Sequence, residues 1–202
     1  LVLSRPAFCP INEEFSPLET FVKACNDYPR MMIYLCHTPV TGTWLSSTPE
    51  ILLSGYGQNW KTVALAGTLP IVDGIEPTEW NTKNKEEQAI VAEYIRKIVK
   101  KHGLKMTEKG PYTARAGQLV HLKTDFLFQL KETKSLGDLL KELHPTPAMC
   151  GLPKAEAYQF ITEHEGYDRR YYSGFVGWMD PEGQTDIYVN LRCMEIRSTE
   201  VK

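Results

Sequence analysis

The sequence predicts an α+β fold in which antiparallel sheets are flanked by helices. One long segment repeats its apolar residues at helical spacing, and several shorter segments of β type are separated by turn residues. No internal repeat and no low-complexity linker divides the chain. These observations favour one mixed unit over residues 1–202.

The clearest helix is predicted over residues 83–102, with Gly103 placed to end it. Its opening turn is predicted to be acidic, which would suit the positive end of the helix dipole. Three shorter helices are predicted: a capped one that begins near Pro17, one at 135–143 and one at 154–163.

The predicted strands form at least two hairpins. Residues 31–36 and 43–46 flank a turn at 38–43, and residues 175–179 and 187–193 flank a turn at 180–183. The remaining strands are predicted at 50–54, 62–66, 104–108 and 118–122, with residues 1–5 as the tail of another.

Composition excludes some classes of function. With 23 basic and 25 acidic residues, the formal charge of −2 creates no general attraction for nucleic acid or for a membrane surface. No apolar run of about 18 residues predicts a membrane span. The five cysteines form no CxxC pair, which favours a reducing cytoplasm, and the five histidines lack zinc-ligand spacing.

Glu87 is a candidate metal ligand. It is predicted to share a helical stripe with Val91, Tyr94 and Ile98, and that stripe is expected to face the interior. A carboxylate there is costly unless it is paired, hydrogen-bonded or bound to a metal. The alternative, which spacing alone favours, is a glutamate at the exposed end of the stripe.

Two further charged residues have open interpretations. Arg192 is predicted to lie on one strand face with Tyr188 and Asn190, with Val189, Leu191 and Cys193 pointing into the core. A guanidinium is a good carboxylate clamp, although an isolated arginine is more often a surface or ion-pair residue. Glu50 begins an apolar strand, where a solvated strand end is the usual expectation.

Two segments have backbones suited to lining a pocket. Residues 64–68 end a β-type segment in small residues, so a ligand could approach Gly67 closely, or the segment could be an ordinary turn. Residues 144–148 contain two prolines that fix a loop. Each signal alone is weak.

Taken in order, these segments resemble the chorismate-utilising enzyme family, which includes isochorismate, salicylate, anthranilate and aminodeoxychorismate synthases. The resemblance covers nearly the whole chain, and the order of its motifs makes chance agreement improbable. The matching segments are Val2-Leu3-Ser4-Arg5, Thr48-Pro49-Glu50, residues 64–68, Glu86-Glu87-Gln88, residues 143–148, Gly151-Leu152-Pro153-Lys154, residues 169–178 and residues 189–193.

The resemblance implies a magnesium-dependent reaction on chorismate. In that reaction a lysine activates the water that attacks ring carbon C2, and a glutamate protonates the departing C4 hydroxyl. By position, Glu50 corresponds to this acid and Glu87 to one magnesium ligand. Arg192, with Tyr172 beside it, corresponds to the clamp on the enolpyruvyl carboxylate. The positions that correspond to substrate contacts are Gly67, Thr68, Ala148, Tyr172 and Arg192.

Ala148 resembles the isochorismate synthase branch, because salicylate and anthranilate synthases typically carry threonine there and go on to eliminate pyruvate. A methyl in place of a hydroxyl removes a hydrogen-bonding partner beside the ring. A salicylate-forming or amine-forming relative is the alternative. No obligatory protein partner is indicated, and the isochorismate could serve menaquinone, a siderophore or salicylate.

The chain also departs from the family pattern. The lysine base would directly precede Leu1, and the segments with a Gly-Ala-Gly turn and further magnesium ligands would follow residue 193. We therefore expect residues 1–202 to be a chorismate-binding domain truncated at both ends. Gln88 stands where members of the family commonly have a histidine. Loss of a general base costs ~10²–10⁴-fold in rate, so we expect these residues alone to be inactive. A non-catalytic chorismate-binding module is the second hypothesis.

Overall fold

Two antiparallel sheets and the helices packed against them form the fold. The computed structural model describes residues 1–180 and 182–202. One sheet has five strands and the other has six. The predicted α+β class, with antiparallel sheets flanked by helices, is confirmed.

The five-stranded sheet has the order β1-β11-β10-β3-β2, and its strands are β1 (Cys9–Pro10), β2 (Met32–Thr38), β3 (Gly42–Thr48), β10 (Cys193–Ile196) and β11 (Glu200–Val201). The six-stranded sheet has the order β6-β7-β5-β4-β9-β8, and its strands are β4 (Ile51–Tyr56), β5 (Asn59–Pro70), β6 (Gly103–Ala116), β7 (Leu119–Leu130), β8 (Phe175–Trp178) and β9 (Thr185–Val189). The helices are α1 (Pro17–Asp27), α2 (Thr82–His102), α3 (Leu136–Leu143) and α4 (Lys154–His164).

The chain crosses between the sheets in two short segments that lie side by side. Residues 49–50 lead from β3 to β4, and residues 190–192 lead from β9 back to β10. The Val189 N–H donates to the Glu50 carbonyl at 2.9 Å, and the Ser47 N–H donates to the Arg192 carbonyl at 3.3 Å. Glu50 and Arg192, which are distant in sequence, therefore both lie where the two sheets join.

The main core lies between the six-stranded sheet and helices α2 and α3. Alternate residues of β7, from Val120 to Leu130, are buried, as expected for a strand with one covered face. The long helix α2 lies across this face and ends before Gly103, as predicted. Its buried residues are Asn84, Gln88, Val91, Ala92, Ile95, Ile98 and Val99.

Val91 and Ile98 of the predicted stripe are buried, but the buried face begins at Gln88 and Glu87 lies outside it, so the alternative of a glutamate at the exposed end of the stripe is confirmed. Gln88 can be buried because its side-chain amide donates to the Ala64 carbonyl at 3.2 Å and to the Thr124 hydroxyl at 3.0 Å. Glu87 is exposed. The predicted acidic opening turn is also wrong, because the first turn of α2 contains no acidic residue.

Several strand boundaries differ from the prediction. Strands β6 and β7 are much longer than residues 104–108 and 118–122. Strand β6 is a mostly exposed edge strand that contains Pro111, so its sequence lacks the apolar alternation that would predict it. Residues 1–5 form no strand, because the Ser4 N–H donates to the Glu165 carboxylate rather than to a neighbouring strand. No helix in the described part of the chain is long and apolar enough to cross a membrane.

Candidate active site

Glu50 is buried, with only 5% of its surface exposed, at the crossing between the sheets. Its backbone N–H lies 3.4 Å from the Thr48 hydroxyl, which itself donates to the Val189 carbonyl at 2.7 Å. Within the described residues, no hydrogen-bond donor or cation contacts the Glu50 carboxyl group. Burial without such a partner raises the pKa of Glu50 to about 8. The expectation of a solvated strand end is therefore wrong, and this acid holds its proton at neutral pH.

A β-bulge at Gly67 interrupts the pairing of β5 with β7, between Ala66 and Thr68. Gly67 adopts a φ of +74°, and a Cβ at this position would lie 3.1 Å from the backbone and side chain of Asn84. Glycine therefore allows the bulge to pack directly against the first turn of α2. Thr68 follows the bulge and is exposed.

Glu87 reaches this bulge from α2. The Gly67 N–H points towards Glu87 Oε1, at a distance of 3.4 Å. Among residues 1–180 and 182–202, no three His, Cys, Asp or Glu side chains come together as a metal-binding group. The described residues thus place one carboxylate beside the bulge, which is too few donors to hold a magnesium ion without further ligands.

His121 joins the bulge to Arg192. Its Nδ1 lies 3.0 Å from the Thr68 hydroxyl, and its Nε2 lies 3.4 Å from Arg192 Nη2. Burial and the adjacent Arg192 charge lower the pKa of His121, with an opposing contribution from the Gly67 backbone. The neutral imidazole can therefore accept a hydrogen bond. Sequence reasoning missed His121, because its position opposite Thr68 follows from the strand register and has no local sequence signal.

Arg192 does not share a strand face with Tyr188 and Asn190, so that prediction is wrong. Strand β9 ends at Val189, and the backbone turns through Arg192, whose φ is +47°, as it crosses to the other sheet. The Asn190 amide is buried and donates to the Tyr171 carbonyl at 2.8 Å. Leu191 and Cys193 are only partly buried.

The positive charge of the Arg192 guanidinium has no ion-pair partner among the described residues. It lies 3.9 Å from the Met31 sulfur and 3.4 Å from His121, and no carboxylate of the described residues lies within 4 Å of it. A guanidinium without an internal ion pair can form a bidentate contact with a carboxylate ligand.

No hydrogen bond of the described residues joins Ala148 or Tyr172 to this cluster. Ala148 is partly buried and packs on the main core. Tyr172 lines a cavity of about 380 Å³ together with Trp44, Arg169, Cys193 and residues 3–7, and Arg192 does not line it. The described contacts therefore do not place Tyr172 beside Arg192. They join Gly67, Thr68, Glu87 and Arg192 through His121 and the bulge, and Glu50 lies at the adjoining crossing.

The crossing between the sheets thus carries a neutral buried acid and a guanidinium without an ion-pair partner, and His121 joins Arg192 to the segment that follows the buried Gly67 bulge. The profile of the family described as chorismate binding enzyme matches residues 1–202. The chain belongs to this family.

Individual relatives agree with this assignment. The chain is 30% identical to a vibriobactin-specific isochorismate synthase from Vibrio cholerae over 78% of its own length and 42% of the relative. It is 28% identical to an isochorismate synthase from Escherichia coli over 84% of its length and 46% of that protein. The solved structure of a menaquinone-specific isochorismate synthase from Escherichia coli superposes with a TM-score of 0.78 at 25% identity, covering 90% of this chain and 44% of that one. The chain thus spans about half the length of these relatives.

Proposed function

We propose that residues 1–202 form the chorismate-binding domain of an isochorismate synthase, which moves a hydroxyl group from C4 to C2 of the chorismate ring. The observation that carries the proposal is the buried, unpaired Glu50, whose pKa is raised to about 8. A general acid must hold a proton at the working pH and lose it during the reaction, and a pKa near neutrality suits both requirements.

In this proposal Glu50 donates its proton to the C4 hydroxyl as the carbon–oxygen bond breaks, so that the leaving group is water. The choice of this reaction is supported by the isochorismate synthases among the relatives. Activation of the attacking water is assigned to no residue of this chain. The proposed role of Glu50 does not depend on that assignment.

Binding of the substrate's two carboxylates requires cations or backbone hydrogen-bond donors. Arg192 is the unpaired guanidinium at the bulge, and it is proposed to bind one carboxylate bidentately. Thr68 is exposed directly after the bulge, and its hydroxyl and the adjoining Gly67 backbone are proposed to contact the substrate ring. Tyr172 and Ala148 are proposed to contact the substrate from the neighbouring segments.

Magnesium is proposed as the cofactor, with Glu87 as one of its oxygen ligands. Mg²⁺ is commonly bound by one or two carboxylates together with the substrate and water, so a single glutamate at the bulge suits a shared site. When bound, the ion would neutralise a substrate carboxylate.

The product distinguishes the proposal from its alternatives. Ala148 offers no hydroxyl beside the substrate, which favours release of isochorismate over further elimination. The test is an assay of the full-length protein that carries this sequence with chorismate and Mg²⁺, in which isochorismate and pyruvate are both quantified. Isochorismate without pyruvate is the expected result. Stoichiometric pyruvate would assign the protein to a salicylate-forming or amine-forming group, and an unaltered but bound chorismate would indicate a binding module.

A further inference from the structure

Glu165 and Arg169 form a buried ion pair just beyond α4. Arg169 Nε donates to Glu165 Oε2 at 2.5 Å, and Nη2 donates to Oε1 at 2.6 Å. Only 2% of the Glu165 side chain and 14% of the Arg169 side chain are exposed. The hydrogen bonds from Arg169 hold the pKa of Glu165 at about 2, so the pair is ionised at all physiological pH values.

The same two side chains also bond to the backbone of two other segments of the chain. Arg169 Nη1 donates to the Met149 carbonyl at 3.0 Å, and Nη2 donates to the Val2 carbonyl at 3.1 Å. Glu165 Oε1 accepts from the Ser4 N–H at 2.6 Å and from the Ser4 hydroxyl at 2.9 Å. The pair therefore joins the loop at 144–150, the segment at 2–4 and its own loop at 165–173.

Two of these segments, the loop at 144–150 and the loop at 165–173, contain a residue that is proposed to contact substrate. Met149 follows Ala148 in the chain, and the Tyr172 ring lies 5.8 Å from the Arg169 guanidinium. Arg169 Nη1 also lies 3.2 Å from the Ser173 hydroxyl, next to Tyr172. A shift of the guanidinium would thus move the loop that contains Ala148 and the segment that contains Tyr172 relative to each other.

We infer that Glu165 and Arg169 are positioning residues, which set the Ala148 loop against Tyr172 and against residues 2–4. The identity of the ligand in this inference rests on the proposed function, whereas the positioning of the loop does not. Lys154 Nζ supports the other end of the same loop by donating to the His144 carbonyl at 2.6 Å. The loop is therefore held by a cation on each side of Ala148.

The geometry supports a positioning role in addition to a stabilising one. The lowered pKa of Glu165 shows that the fold favours the ionised pair. Its geometric effect is specific, because a bidentate guanidinium–carboxylate pair has a fixed orientation. Here that oriented pair supplies hydrogen bonds to backbone groups that are about 150 residues apart in sequence, as between Val2 and Met149.

The chain offers a matched control in Arg96. It forms the same fork with Glu108, from Nε at 2.8 Å and Nη2 at 2.7 Å, on the exposed side of α2. Within the described hydrogen bonds, Arg96 donates to carboxylates alone and joins no loop of the pocket. Both Arg169→Lys and Arg96→Lys replace the guanidinium of an arginine–glutamate pair by an ammonium group. Only Arg169→Lys also removes hydrogen bonds to other segments of the chain, so Arg96→Lys is its control.

The first measurement follows the reactivity of Cys150, which is 2% exposed and lies directly after the held loop. Thiol labelling is quantified by mass spectrometry, with the partly buried Cys36 of β2 as the internal reference. We expect Arg169→Lys to accelerate labelling of Cys150 about tenfold and of Cys36 less than about twofold, and Arg96→Lys to change neither by more than about twofold. Unchanged Cys150 labelling, or an equal increase at Cys36, would overturn the positioning role.

The second measurement uses the steady-state kinetics of the full-length protein. Arg169→Lys is expected to raise the KM for chorismate about tenfold with a smaller change in kcat, since it displaces contacts to the substrate. A wild-type protein without isochorismate synthesis would refute the proposed function, and the labelling result would still decide the positioning role. An active wild type with unchanged KM in Arg169→Lys would overturn the inference alone.

Discussion

Nε2 of His121 lies 3.4 Å from Nη2 of Arg192, while Nδ1 of the same ring lies 3.0 Å from the Thr68 hydroxyl. One histidine on β7 thereby joins the strand crossing to the glycine bulge on β5. Burial and the Arg192 charge both disfavour the imidazolium form, so His121 is neutral when the site is empty.

This relationship predicts how the pKa of His121 responds to substitution. In Arg192→Gln the pKa should rise, because the nearby positive charge is lost, but it should remain below its ordinary value of about 6.5, because burial is the larger cause. NMR titration of the ring protons measures it. Arg197→Gln is the control, since that arginine pairs with Glu195 and Glu200. A His121 pKa that is unaffected by Arg192→Gln would contradict the contact.

A binding prediction follows from the same pair. A dicarboxylate bound at Arg192 would offset the guanidinium charge, so the pKa of His121 should rise when chorismate is added. The NMR titration repeated with saturating chorismate tests this expectation. An unchanged His121 pKa in the presence of bound chorismate would place the ligand elsewhere.

A comparison of alanine substitutions at Gly67 and Gly42 distinguishes the cost of backbone strain from the cost of steric contact. Both adopt positive φ, at +74° and +77°, but a Cβ at Gly42 would meet nothing within 4 Å, whereas one at Gly67 would meet Asn84 at 3.1 Å. We expect Gly42→Ala to lower the free energy of unfolding by about 1–2 kcal/mol, and Gly67→Ala to lower it by about 1–3 kcal/mol more. Denaturant unfolding measures both. Equal losses would show that the bulge does not pack tightly on α2.

The raised pKa of Glu50 predicts a pH dependence of stability. Between about pH 4.5 and 8 the folded protein keeps a proton on Glu50 that the unfolded chain releases, so stability should fall as pH rises through this window. The slope attributable to Glu50 is about 1.4 kcal/mol per pH unit. Glu50→Gln should remove this part of the slope, while Glu93→Gln on the exposed side of α2 should not. Parallel pH profiles for wild type and Glu50→Gln would contradict the buried neutral acid.

Ala148→Thr tests the choice of product. The added hydroxyl would supply a hydrogen-bonding group next to the substrate, and we expect the ratio of pyruvate to isochorismate to rise about tenfold in the full-length protein. The ratio is independent of the amount of folded enzyme. An unchanged ratio would remove Ala148 from the determinants of reaction outcome.

The sequence predicted the parts of the fold whose pattern is local. Apolar spacing and Gly103 define α2, and the cap at Ser16 with Pro17 defines the start of α1. The order of the motifs identified the family, which the match over residues 1–202 confirms. These features depend on near neighbours in sequence.

The features that sequence reasoning missed depend on contacts between distant segments. The stripe through Gln88 and the stripe through Glu87 have the same helical spacing, and the hydrogen bonds of Gln88 to β5 and β7 decide between them. The end of β9 at Val189 follows from the change of sheet, and the contact of His121 with Thr68 follows from the strand register. None of these has a local signature.

The most direct test concerns the protonation of Glu50. Infrared difference spectroscopy between wild type and Glu50→Gln at pH 7 isolates the carboxyl stretching band of this one residue. A protonated-carboxyl band that is present at pH 7 and converts to carboxylate near pH 8 is the predicted result. A carboxylate band already complete at pH 6 would show an ionised Glu50, which could not donate the proton that the proposed reaction requires.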